Sequence, residues 1–157
     1  MKTTDKYVFF WNGIYSQWFL SNFVIDGFEY NSCEQFMMHQ KALLFEDFEI
    51  ADKIMKENNP ASQKSLGKQV KGFDKGVWDR NCFSIVYRGN YAKFTQNESL
   101  KKQLLATENR TLVEASPVDF IWGIERPVDY QGNENPTNWR GLNLLGFAIM
   151  TVRNQIK

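Results

Sequence analysis

The chain has 157 residues, 43% hydrophobic and 24% charged, proportions that fit one soluble globular domain over residues 1–157. A net charge of +1 leaves no bulk field to hold nucleic acid or a membrane surface, so only local basic patches could serve such partners. Two cysteines, Cys33 and Cys82, and one histidine, His39, have no metal-ligand spacing; no metal is expected, and the cysteine usage fits a reducing, cytoplasmic setting.

The N-terminus "MKTTDKYVFFWNG" lacks a signal-peptide pattern, and no apolar run reaches the length of a membrane span. The aromatic content is high, with 13 Phe, 6 Tyr and 5 Trp. Part of it must fill the core, and part can line a cleft for a planar ligand.

"YVFFW" (Tyr7–Trp11) is β-rich and reads as a buried strand. Asp26-Gly27, set between two short apolar runs, is a hairpin signal. Ser32 can cap the next helix, with Gln35 completing a capping box, and the helix runs to about Leu44. Residues 46–59 form an amphipathic helix through Phe48, Ala51, Ile54 and Met55. Asn59-Pro60 stops it and starts a short helix, "PASQKSLGKQVK".

Asp74 is a cap for the longest pattern, Val77 to about Gln96, with Phe83, Val86, Tyr87, Asn90, Tyr91 and Phe94 on one stripe. A helix restarts at Asn97. Arg110–Ser116 reads as a strand, and a further strand-like run, "DFIWGI", follows Pro117. Residues 125–139 are a polar loop. Residues 140–156 form a last helix. The sum is a predominantly helical α+β domain with a small sheet.

Three constellations carry chemistry. Glu34 and Lys41 are seven residues apart, nearly two turns, and so share one face of the first helix. Glu34 in the first turn is favoured as a carboxylate by the free N–H groups and the helix dipole. If that face borders a cleft, desolvation lowers the Lys41 pKa and frees a nucleophilic amine, with Glu34 moving protons. Such a pair suits chemistry at a sugar's anomeric carbon; a solvated surface pair fits the same spacing.

Lys64, Lys68, Lys71 and Lys75 step by four, three and four, which suits either a phosphate or a solvated face. Beside them, Trp78 and Arg80 in "VWDRN" can stack a ring and hold a phosphate, or cap and pack the long helix. In "VDFIWGIERP", Trp122-Gly123 lets backbone approach a ligand closely, and Asp119 is placed to bond ribose hydroxyls. A tight turn with a core Trp explains the same residues. No Gly-rich phosphate loop or Ser-His-Asp order is present.

In order and spacing, "LSNF" (Leu20–Phe23), "SCEQFMMHQKA", "KSLGKQV", "VWDRN", "GNYAKFTQN", "LLATENRTLVEASPVDFIWGI" and "NWRGLNLLGFAIMTVR" resemble the NADAR, or YbiA-like, family over nearly the whole chain. The resemblance implies a single compact YbiA-like domain with N-glycosidase activity and no cofactor. It implies two substrate branches: ADP-ribose on guanine in DNA or RNA, or the phosphorylated ribosylamino intermediates of riboflavin synthesis. Both carry a phosphorylated ribose with nitrogen at C1.

Carried across residue by residue, Glu34 and Lys41 match the family's helix glutamate and its Schiff-base lysine. Asn22, Phe23, Trp78, Arg80, Asp119, Trp122, Gly123 and Asn143 match positions that shape the pocket. One departure is Glu125, which stands where the family usually has glycine after "WGI" and bears on substrate choice. A non-catalytic ADP-ribose or NAD-binding module would keep the pocket without a covalent lysine. A protein-interaction domain would instead present an apolar patch.

Overall fold

The computed structural model describes all 157 residues. The elements follow in the order β1 (Lys2–Thr3), β2 (Tyr7–Phe10), β3 (Phe23–Ile25), β4 (Phe28–Tyr30), α1 (Cys33–Leu44), α2 (Phe48–Lys56), α3 (Pro60–Gly67), α4 (Lys75–Gln96), α5 (Glu98–Leu105), β5 (Thr111–Glu114) and α6 (Leu144–Gln155). A 3₁₀ turn spans Pro136–Asn138. This is the helix-dominated α+β architecture expected. Two units divide it: Met1–Ser16 with Glu98–Lys157, and Gln17–Asn97. No helix is long and apolar enough to cross a membrane.

The first unit is built on a three-stranded sheet of order β1-β2-β5. β1 runs antiparallel to β2, and β2 pairs parallel with β5 from Tyr7↔Thr111 to Phe10↔Glu114. Phe9, Val113, Ala115 and Ile124 form a fully buried cluster, with Tyr7, Val128 and Trp139 packed against it. Leu145, Ala148, Ile149 and Val152 recur at helical spacing along α6 and are all buried; α6 lies on β5. Leu145, Ile149 and Val152 each contribute about 1.5–3 kcal/mol of transfer free energy. Arg153 is also buried, and its Nη1 donates to Thr107 Oγ1 at 2.7 Å and to the Arg110 carbonyl at 2.8 Å.

The expected strand after Pro117 does not form. Asp119 Oδ1 accepts from the backbone N–H of Ile121 (2.9 Å) and Trp122 (2.8 Å), a side-chain-closed turn that competes with extension. α6 likewise starts at Leu144, four residues later than expected. Asn143 before it has a left-handed backbone (φ +54°), and its amide is committed to β5: Oδ1 accepts from Glu114 N at 2.9 Å and Nδ2 donates to the Leu112 carbonyl at 3.0 Å.

The second unit packs α2, α3 and α4 around α1. Its hairpin, β3 with β4, turns on Asp26 (φ +52°) and Gly27 (φ +82°), the left-handed pair that a two-residue type I′ turn needs. Ser32 Oγ accepts from Gln35 N at 3.1 Å, a cap worth about 1 kcal/mol. Gln35 Oε1 reaches one residue beyond the cap, accepting from Asn31 N at 2.8 Å. Asp47 and Asn59 cap α2 and α3, which trims α2 to Phe48–Lys56. α3 stops at Gly67, so Lys68, Lys71 and Lys75 do not continue one helical row with Lys64.

α4 buries part of the stripe its apolar residues suggest, with Val86, Asn90 and Phe94 inside. Cys82, Ile85, Val86, Gly89, Asn90, Ala92, Lys93 and Phe94 face inward, while Tyr91 is exposed. Gly89 lies on this inward face. A Cβ there would stand 2.7 Å from Phe36 Cδ1, so only glycine lets the Phe36 ring of α1 seat against α4. Tyr30 meets that ring edge-on at 5.0 Å between centroids, and Phe23 at 6.3 Å.

Candidate active site on the first long helix

α1 carries the acid and the amine. Glu34 lies in its first turn and is buried; its backbone N–H donates to the Gln17 carbonyl at 3.0 Å. Gln17 is itself fixed, its Oε1 accepting from Asn90 Nδ2 at 2.8 Å. Lys41 lies in the last turn and is half-buried. Its Nζ donates to the Gly67 carbonyl at 2.8 Å, at the end of α3 where helix carbonyls lack intrahelical partners. The ammonium also lies 4.6 Å from the centroid of Phe73 and 5.6 Å from that of Trp78.

These surroundings act on the amine in opposite senses. Burial lowers the Lys41 pKa, and the negative charge of Glu34 partly restores it. Burial is the larger effect, so a greater share of Lys41 is the neutral, nucleophilic amine than in a solvated lysine. The coupling also puts Glu34 within electrostatic reach of Lys41, as their spacing on α1 requires.

Two other groups nearby are poor candidates. Burial pushes the Cys33 thiol up to about 11, so it stays protonated. Lys93 also has a lowered pKa from burial, but it is fully buried, between Phe19 and Phe94, and no substrate can reach its nitrogen. Lys41 alone combines a lowered pKa with partial access.

The remaining expected residues are distributed as follows. Trp78 sits in the first turn of α4, half-buried, facing Lys41. Arg80 is two residues on and exposed, with no carboxylate partner. Asn22 is exposed and donates to Glu29 Oε1 at 3.2 Å, while Phe23 is buried in the aromatic cluster. Asp119, Trp122, Gly123 and Asn143 belong to the other unit.

There, Gly123 is buried where a Cβ would stand 2.8 Å from the Glu114 carbonyl and 3.0 Å from that of Asp119. Its own carbonyl accepts from Asn143 N at 3.0 Å. Asp119 and Asn143 thus hold the Trp122–Gly123 turn rigid. Glu125 continues the turn in a left-handed conformation (φ +51°).

His39 is buried and bonded through Nδ1 to the Tyr30 hydroxyl at 2.8 Å, a partner that its sequence surroundings did not reveal. Gly67 and Phe73 have no local sequence signature for their places around Lys41. No group of three or more His, Cys, Asp or Glu side chains is arranged to hold a metal ion.

Comparison with known proteins identifies the family. The chain is 44% identical to N-glycosidase R617 of Acanthamoeba polyphaga mimivirus, covering 97% of each. It is 32% identical to the riboflavin biosynthesis protein PYRR of Zea mays over 69% of this chain, but only 16% of that longer protein. The solution structure of the E. coli protein YbiA superposes with a TM-score of 0.80 at 23% identity, covering 99% of this chain and 87% of that one, and shares the fold. Residues 6–157 match the model of the NADAR domain, and the chain belongs to the NADAR family.

Proposed function

We propose that this N-glycosidase uses Lys41 as a covalent nucleophile and Glu34 as its acid–base partner, acting on a phosphorylated ribose with a nitrogen base at C1. The observation that carries the proposal is the half-buried Lys41 amine, held on the Gly67 carbonyl between Phe73 and Trp78 and coupled to buried Glu34. The enzyme class follows from the family and its N-glycosidase relatives.

The steps balance without a cofactor. Lys41 and Glu34 share one proton, and in the form with that proton on Glu34 the neutral Lys41 Nζ bonds to C1. The C1–N bond to the base breaks, and the base leaves with that electron pair and a proton from Glu34. Opening of the ribose ring converts the lysine adduct to a protonated Schiff base. Water adds to C1, Glu34 takes up its proton, and collapse of the carbinolamine returns the free sugar and the Lys41 amine. Trp78 and Phe73 keep water from the ammonium, and exposed Arg80 offers charge for the phosphate.

The substrate is either ADP-ribose on guanine in nucleic acid or a ribosylamino phosphate of the riboflavin pathway. Riboflavin-protein names among the relatives favour keeping the second branch. The near-neutral charge allows recognition of a modified base but little non-specific affinity for nucleic acid.

The test is hydrolysis of ADP-ribosylated guanine in DNA against 5-amino-6-ribosylaminouracil phosphate, with Lys41→Ala and Glu34→Ala in parallel. Each substitution should cost about 10²-fold or more in kcat while the circular dichroism stays that of the folded protein. Full activity in Lys41→Ala would remove the covalent route. Borohydride should trap the sugar on Lys41.

A further inference from the structure

The two ends of α1 do different work if Glu34 protonates the leaving base and Lys41 takes the sugar. They stand seven residues, or about 10 Å, apart. The base must then lie toward the first turn. An exposed ring waits there: Trp18, adjacent to Gln17, whose carbonyl holds Glu34 N at 3.0 Å. Trp18 is 46% exposed, so part of its ring is open to a planar ligand. Lys64 of α3 places its ammonium 6.0 Å from the ring centroid.

Gln17 is anchored through Asn90, and its Nε2 contacts Met37 Sδ at 3.8 Å, so the backbone that presents Trp18 is fixed. The other exposed ring near the pair, Phe73, lies by Lys41 at the opposite end of α1 and packs on Phe45.

We infer that Trp18 is the stacking platform for the leaving heteroaromatic base, a specificity-determining residue that contacts the substrate's base and not its sugar. The inference rests on the assignment of Glu34 and Lys41 above. A flat ring tolerates any base that presents a π-face, so Trp18 sets the demand for an aromatic leaving group without choosing between purine and pyrimidine. Lys64 beside the ring supplies positive charge at the same rim.

The experiment compares wild type, Trp18→Ala and Trp18→Phe in two assays. One is steady-state hydrolysis of whichever base-bearing substrate the wild type turns over. The other is borohydride trapping of ribose 5-phosphate, which carries no base, on Lys41. In Trp18→Ala, KM should rise by about tenfold, the loss of one stacked base. Its kcat should fall far less, and trapping should proceed at the wild-type rate. Trp18→Phe should restore most of the KM.

An unchanged KM in Trp18→Ala would overturn the inference. So would an equal loss of trapping and turnover, which would make Trp18 a structural support of α1. Absence of trapping in the wild type would instead count against the Lys41 route itself, so the two failures are distinct.

Discussion

The Lys41 ammonium donates to the Gly67 carbonyl at 2.8 Å, joining the last turn of α1 to the end of α3. The bond orients the amine but also favours its charged form, whereas burial favours the neutral one. Because burial lowers the pKa from 10.5 and Glu34 opposes it, acylation of Lys41 by an amine reagent should rise with pH and level off below pH 10.5. Glu34→Gln removes the charge that favours the ammonium, so its inflection should move to still lower pH. Peptide-resolved mass spectrometry reads this without requiring turnover. An inflection that moves upward, or stays in place, would uncouple the two residues.

Acid should destabilise the protein through His39. Burial lowers its pKa below 6.5. Burial raises the Tyr30 phenol to about 12, so its hydroxyl keeps its proton and stays hydrogen-bonded to Nδ1 of the neutral imidazole at 2.8 Å. Between the folded pKa and 6.5 the unfolded chain binds a proton that the folded chain does not. Stability therefore climbs with pH through that window and is flat above it. His39→Gln, which does not titrate, should flatten the Tm–pH curve just below pH 6.5. An unchanged slope would assign the acid sensitivity elsewhere.

Local chemistry made much of this fold readable in the sequence. Asp26-Gly27, Ser32 with Gln35, Asn59-Pro60 and Asp74 each sit where the turn or cap was expected, because each signal depends only on neighbours within a few residues. α4 was less readable. Periodicity treats Lys93 as solvated and Tyr91 as core, yet Lys93 is fully buried and Tyr91 is 40% exposed. Gly89 admits the Phe36 ring, and no pattern along α4 reports a ring from α1.

The site divides in the same way. Helical spacing put Glu34 and Lys41 on one face. The Gly67 carbonyl and the Phe73 ring beside Lys41 come from distant segments with no local signature. Asn143 is instructive, because its family match says where it stands and only the folded chain reveals both ends of its amide bonded to β5.

Gly89 should be intolerant of alanine even though alanine is the better helix former. The propensity gain is about 1 kcal/mol. Against it, the new Cβ meets Phe36 Cδ1 at 2.7 Å and Cε1 at 3.4 Å, and the ring is held by Tyr30 and Phe23 with no space to retreat. Overpacking of this kind costs about 1–3 kcal/mol. Gly89→Ala should therefore lower the urea midpoint. A second substitution, Phe36→Leu, should recover part of the loss if the ring is the obstacle. No recovery would place the cost in the helix itself.

Glu125 offers the reverse case. Its backbone is left-handed, φ +51°, where the family resemblance puts glycine. A side chain in that region costs about 1–2 kcal/mol, and glycine gives back about 0.5–1 kcal/mol in unfolded-chain entropy. Glu125→Gly should thus gain up to about 1.5 kcal/mol, a rise of a few degrees in Tm. Glu125→Ala keeps the strained backbone and should gain nothing from it, so the pair separates conformation from charge. The same two variants separate the carboxylate's effect on catalysis. If the negative charge repels the substrate phosphate, both should lower KM alike, and the effect should shrink as salt is added. A change in Glu125→Gly alone would trace the effect to the loop backbone.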